Sequence, residues 1–180
     1  MDIKKLADVK DRFADYEKIF NSGDYDKAAD ILSAILERIE ECTDERKAGT
    51  MDDTFVKKSD MDKRPIYISL NHVMEYYLYA CYFEPETDVL CTELPVGEYY
   101  RTYGGLCLKL SKFRRAEDAF KKAICWNPVD LDSYLGLAEC YKNLNMLSRY
   151  LDVTKQAYRF CCSRATMARY YRNMGFYFVA

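Results

Sequence analysis

Between Tyr100 and Pro128, large and small apolar residues stand at intervals that suit a pair of packed helices. Tyr100, Tyr103, Gly104 and Cys107 recur at the three- and four-residue spacing of one helix face, and Phe113, Ala116, Phe120 and Ala123 repeat that spacing after a short break. The recurrence predicts two amphipathic helices, and Pro128, following Asn127, ends the second. Gly104 and Ala116 are small where their neighbours are large. Facing one another across a hairpin, they let two helix axes approach closely, while Phe120 fills the space towards the next hairpin. One such hairpin cannot bury both of its faces, so further hairpins are required.

The flanking sequence supplies them. Residues 131–167 place Tyr134, Leu137, Ala138 and Tyr141 in a first helix, then Leu147, Leu151 and Ala157 in a second that reads about a turn longer. A further first helix is expected from near Ala168, where Tyr171, Met174, Gly175 and Phe178 repeat the spacing of Tyr100, Tyr103, Gly104 and Cys107. That helix is either an atypical cap or the start of a repeat in a longer protein. The apolar run Phe176 to Val179 favours the second reading.

Tyr100, Tyr103, Gly104, Phe113, Ala116, Phe120, Ala123 and Pro128 together resemble the signature of the tetratricopeptide repeat (TPR), a helix–turn–helix unit of about 34 residues. The resemblance covers residues 97–130, and Cys107 departs from it by standing where the family usually has Tyr. It implies an all-α fold, a right-handed superhelix of stacked helical hairpins (an α-solenoid), here with about seven helices. It further implies a non-catalytic scaffold for protein–protein interaction.

Residues 1–41 fit the same template more loosely. Apolar residues recur at helical spacing in Leu6, Val9, Phe13, Tyr16, Ile19 and Phe20, and again in Tyr25, Ala28, Ile31, Leu32, Ile35 and Ile39, with a turn at Asn21–Asp24 between them. In residues 42–65, Asp44, Glu45, Asp52, Asp53, Asp60 and Asp62 stand against Arg46, Lys47, Lys57, Lys58, Lys63 and Arg64. So charged a stretch reads as a loop or linker. Residues 66–96 read as a long helix plus a loop. Pro65 opens an apolar run, Ile66 to Phe83, and Glu84-Pro85 stops it, which predicts a helix of about five turns buried on more than one side. Residues 97–180 hold the repeats and the last, unpaired or capping helix.

Composition agrees with helices: seven Gly and four Pro in 180 residues leave few tight turns, and 17 Tyr suit helix interfaces with a wet edge. A net charge of −2 gives no global field towards nucleic acid or anionic lipid. Neither a secretory leader nor an apolar stretch of about 18 residues is present, so a cytoplasmic chain without membrane contact is expected. The eight cysteines contain no C-x-x-C pair. Cys81, Cys107, Cys125 and Cys140 take places for small apolar residues and read as buried thiols, Cys42 and Cys91 fall in expected loops, and Cys161 and Cys162 are adjacent.

Little of the sequence points to catalysis. His72, the lone histidine, lies near Glu75 in an apolar run and reads as packed or partly exposed; Trp126 reads as packing at a helix end. The chain carries no nucleotide-binding or nucleophile-elbow motif, so no enzyme activity, cofactor or metal is expected. The resemblance implies instead that the first helices line a concave groove. The matching positions are Arg101, Leu108 and Lys109, then Leu135, Glu139, Lys142 and Asn143, then Arg169, Arg172 and Phe176. Cations dominate this set, which suggests a protein or peptide partner of acidic character. The carboxylate-clamp arrangement of chaperone-binding TPRs is incomplete. An RNA-binding helical repeat, with Arg169 and Arg172 among many tyrosines, is the main alternative, and a cysteine-based metal or redox protein the lesser one. A homodimer stacked through the C-terminal helix is a further expectation.

Overall fold

The computed structural model describes residues 3–42, 66–86 and 88–179. The expected linker, 42–65, lies almost wholly outside the described residues. In chain order the elements are α1 (Ile3–Ser22), α2 (Tyr25–Cys42), β1 (Ile66–Ile68), α3 (Val73–Phe83), β2 (Val89–Cys91), α4 (Val96–Lys109), α5 (Phe113–Trp126), α6 (Leu131–Asn143), α7 (Leu147–Ala157), a 3₁₀ turn (Tyr158–Phe160) and α8 (Arg164–Val179). The protein is predominantly helical. Six of its helices form the hairpins α1–α2, α4–α5 and α6–α7, which pack in chain order, α2 on α4 and α5 on α6, with α8 following on α7.

The hairpins turn in closely similar ways. Each reverses at one residue with left-handed backbone, Gly23 (φ 87°), Ser111 (φ 57°) and Asn145 (φ 56°). At Ser111 the turn is closed by Lys112 N–H donating to Cys107 O (2.8 Å) and Ser111 N–H to Leu108 O (3.0 Å). Met146 to Tyr141 and Asn145 to Lys142 reproduce that pair of bonds, at 2.8 and 3.1 Å. This is the Schellman closure, which satisfies the last carbonyls of a helix. Ser111 and Asn145 stand one unit of about 34 residues apart.

Small residues set the closeness of the stack. A methyl group added at Gly104 would sit 3.0 Å from the Phe120 ring, and one at Gly136 only 2.4 Å from it, so that ring is wedged between α4 and α6. Phe120, not Ala116, is thus what closes over Gly104. Ala116 and Ala123 are fully buried nearby. Two core clusters result. Val9, Leu32, Ile35 and Ile39 meet Tyr100, Ala123 and Trp126 in one, and Phe120, Leu137, Ala138, Tyr150, Ile68 and Tyr79 share the other.

The helices number eight among the described residues, against about seven, and four further expectations are corrected. The run Ile66–Phe83 is not one helix of five turns: Ile66, Tyr67 and Ile68 pair in parallel with Val89, Leu90 and Cys91, and the helix starts only at Val73. Ser69 and Asn71 break it. Ser69 N–H donates to Trp126 O (2.8 Å) and Asn71 N–H to a Glu75 carboxylate oxygen (2.6 Å), bonds that compete with a helical path. Nor is this segment buried on several sides, since only Tyr79 of α3 is buried. Second, α7 is an 11-residue helix continued by a 3₁₀ turn, not a lengthened helix. Third, α8 begins at Arg164 rather than near Ala168. Ser163 Oγ accepts from Thr166 N–H (3.2 Å) and Thr166 Oγ1 from Ser163 N–H (3.0 Å), a reciprocal cap that fixes the start. Fourth, Cys81 and Cys91 are exposed, Cys91 lies in a strand, and Cys125 is only half-buried.

Candidate binding surface

The first helices α4, α6 and α8 carry a row of charges at their N-terminal ends. Arg101 of α4 lies 3.6 Å from Asp130 and 3.4 Å from Asp132, and Asp132 at the start of α6 holds Arg169 of α8 at 2.7 Å. Glu98 is 3.6 Å from Arg101 on the same helix. Asp130 is buried, and that burial pushes its carboxyl up from the ordinary range against the Ser133 hydroxyl and Arg101, which favour the ion. Farther along α6, Lys142 pairs with Glu139 (2.9 Å) and lies 5.0 Å from the Phe176 ring centre. Asn143 donates its amide to Glu139 O at 2.8 Å.

Most of the residues expected to line a groove therefore fall on neighbouring first helices, yet three of them point elsewhere. Lys109 sits 3.5 Å over the Tyr25 ring and 5.7 Å from that of Phe20, against the N-terminal hairpin. Leu135 is buried, at 6% exposure, and Leu108 is half-buried in the core. Arg172 is exposed, and Phe176 packs edge-on to Tyr150 with 5.5 Å between centroids. The helical spacing does not single out Asp130 or Asp132. With them and Glu98 included, Arg101, Lys142, Arg169 and Arg172 are matched by Glu98, Asp130, Asp132 and Glu139, so this surface is charge-balanced, not basic. Asp132 could have been found from its place as the acidic residue in the first turn of α6.

His72 is exposed and caps α3 in extended backbone without a side-chain hydrogen bond, whereas Glu75 accepts from Asn71 N–H and from Asn127 Nδ2 (2.8 Å). Glu75 is thus a structural tie between α3 and the end of α5. Trp126 is buried in the N-terminal core cluster. Among the thiols, burial pushes Cys140 up to about 12 and also raises Cys107, so both stand protonated at neutral pH. Among the described residues, no three His, Cys, Asp or Glu side chains converge as metal ligands would, and no helix is long and apolar enough to cross a membrane.

Compared with known families and curated proteins, the sequence matches neither a family nor a curated protein.

Proposed function

We propose that the chain is a TPR-like scaffold, a right-handed superhelix of hairpins without catalytic activity, that binds a peptide or protein segment along the first helices α4, α6 and α8. The observation that carries this reading is the row Arg101–Asp132–Arg169, which runs across three successive first helices. The repeated turn at Ser111 and Asn145 and the wedge of Phe120 between Gly104 and Gly136 support the repeat class. In the free protein Asp132 occupies the two arginines. A partner carboxylate takes its place, bound by the guanidinium forks of Arg169 and Arg101 with Arg172 beside them. The preference for acidic partners then rests on exchange of one carboxylate for another.

The exchange has a direct test. Asp132→Asn frees Arg169, while Glu98 and Asp130 still hold Arg101, and should tighten binding of acidic peptides several-fold, whereas Arg169→Glu with Arg172→Glu should weaken it by about tenfold or more. Fluorescence anisotropy on a panel of acidic peptides and their amide-matched controls reads both. If neither change moves affinity, or if the acidic and amide peptides bind alike, the reading fails.

A further inference from the structure

Two helices leave large apolar side chains in water. On α3 these are Val73, Met74, Tyr76, Tyr77 and Tyr82, from 47% to 74% exposed; on α8 they are Tyr171, Phe176, Phe178 and Val179, from 38% to 89%. The α8 face is the more telling. Its Tyr171, Gly175 and Phe178 occupy the register of Tyr134, Ala138 and Tyr141 on α6. Those three are buried, whereas on α8 nothing lies within 4 Å of a methyl group placed at Gly175. The opposite side of α8, with Tyr170, Asn173 and Tyr177, meets the rest of the molecule: Tyr150 donates to Asn173 O at 2.8 Å, and Tyr177 joins the core.

The charges in the two segments that carry these faces are opposite in sign, except that Arg159 lies over the Tyr82 ring of α3, 5.8 Å from its centre. From Pro65 to Tyr100 the sequence has six acidic side chains, Glu75, Glu84, Glu86, Asp88, Glu93 and Glu98, and no Lys or Arg. From Val153 to Ala180 it has five basic ones, Lys155, Arg159, Arg164, Arg169 and Arg172, and no Asp or Glu. Among the described residues Glu84, Glu86, Asp88 and Glu93 take part in no ion pair, and neither do Arg164 and Arg172. A chain of ring contacts brings the C-terminal end of α3 towards the start of α8: Tyr82 meets Phe160 (5.9 Å), and Tyr158, two residues before Phe160, meets Tyr170 (5.0 Å).

We propose that the occupant of these faces is a second copy of this chain, with the acidic, apolar face of α3 in one copy docking on the basic, apolar face of α8 in the other. Pairing α8 with α8 would set arginine against arginine, and α3 with α3 glutamate against glutamate; only the crossed contact is complementary in both charge and apolar surface. A two-fold pair makes that contact twice. Gly175 lets the docked helix approach closely, with Tyr171 and Phe178 as flanking ridges. This inference does not rest on the peptide reading above, although the two surfaces share Arg172, and sedimentation without any peptide reads it separately.

Sedimentation velocity of the full chain, at low salt and over a concentration series reaching the high-micromolar range, is the test. The wild-type chain should gain mass with concentration. Glu84→Lys with Glu86→Lys should weaken self-association about tenfold or more, and so should Arg164→Glu with Arg172→Glu, while far-UV circular dichroism stays unchanged. Mixing the two charge-reversed proteins leaves one crossed contact with both its charged sides reversed, and association should return in the mixture alone. Phe178→Ser, which alters no charge, should also weaken wild-type association. A wild-type chain that stays monomeric throughout overturns the proposal. So does association that survives either reversal, or a mixture that fails to restore it.

Discussion

At the scale of single residues, the tightest constraint is the contact between Phe120 and the helix that follows it. Alanine is favoured over glycine inside a helix by up to about 1 kcal/mol, and by that measure alone Gly136→Ala would stabilise α6. The added methyl, however, would lie 2.4 Å from the ring of Phe120, itself 3% exposed and closed in by Gly104 on its other side. Overpacking of this kind costs about 1 to 3 kcal/mol, so it outweighs the propensity gain. Gly136→Ala is therefore expected to destabilise the protein by about 1 to 2 kcal/mol. Gly105→Ala is the control, since its methyl meets nothing within 4 Å, and it should stabilise by about 0.5 to 1 kcal/mol. Urea unfolding of the two variants against wild type, read as opposite shifts of the midpoint, checks the pair.

Between elements, the clearest polar tie is Glu117. Its side chain, 5% exposed, lies 2.9 Å from Lys121 and 3.0 Å from Arg114 on α5, and 3.7 Å from Arg149 on α7. Burial pushes its carboxyl up, but Lys121 and Arg114 prevail and hold it below the usual carboxylate range. A carboxyl that binds its proton less readily in the folded state contributes stability above its unfolded value, and that contribution is lost as pH falls through the depressed folded value. The cations are 41% to 65% exposed, so water screens the pairing and the contribution at neutral pH is about 1 kcal/mol. Glu117→Gln should lose that amount near neutrality and progressively less as pH falls through the depressed folded value; urea midpoints over an acid pH series would show it, and a pH-independent difference would contradict it. The helices on either side of this tie were legible in the sequence, because Phe113 to Ala123 and Tyr134 to Tyr141 keep one period over several turns. Ile66 to Ile68 was not. Three apolar residues at the head of a long apolar run carry no period of their own, and their strand exists only because Val89 to Cys91 returns beside it. The candidate surface was half legible for a similar reason. Arg101 and Arg169 could be placed on first helices from spacing, but their occupation by Asp132 depends on how neighbouring helices abut.

Across the whole molecule, stability is expected to fall from the middle of the stack towards α8. Helix α4 buries Val96, Tyr99, Tyr100, Leu106 and Cys107 between the N-terminal hairpin and α5, whereas α8 has no buried residue. What holds α8 is mostly peripheral: the Tyr150 hydroxyl on Asn173 O, the Tyr150–Phe176 and Tyr158–Tyr170 ring contacts, the exposed Arg169–Asp132 pair and the Ser163–Thr166 cap, with half-buried Tyr177 packed against the core. In a stack, each hairpin is stabilised chiefly by its neighbours, so an element with one covered side opens separately from the rest. Amide hydrogen exchange at low protein concentration should therefore show α8 exchanging through local opening, at least about 2 kcal/mol below the opening free energy of α4 and α5. Raising the concentration separates this from self-association. If a second copy covers Tyr171, Gly175 and Phe178, protection should rise in α8 and in α3 together while α4 and α5 stay unchanged. Protection that rises in α8 alone would place α8 against α8, and arginine against arginine, in the way the charges argue against.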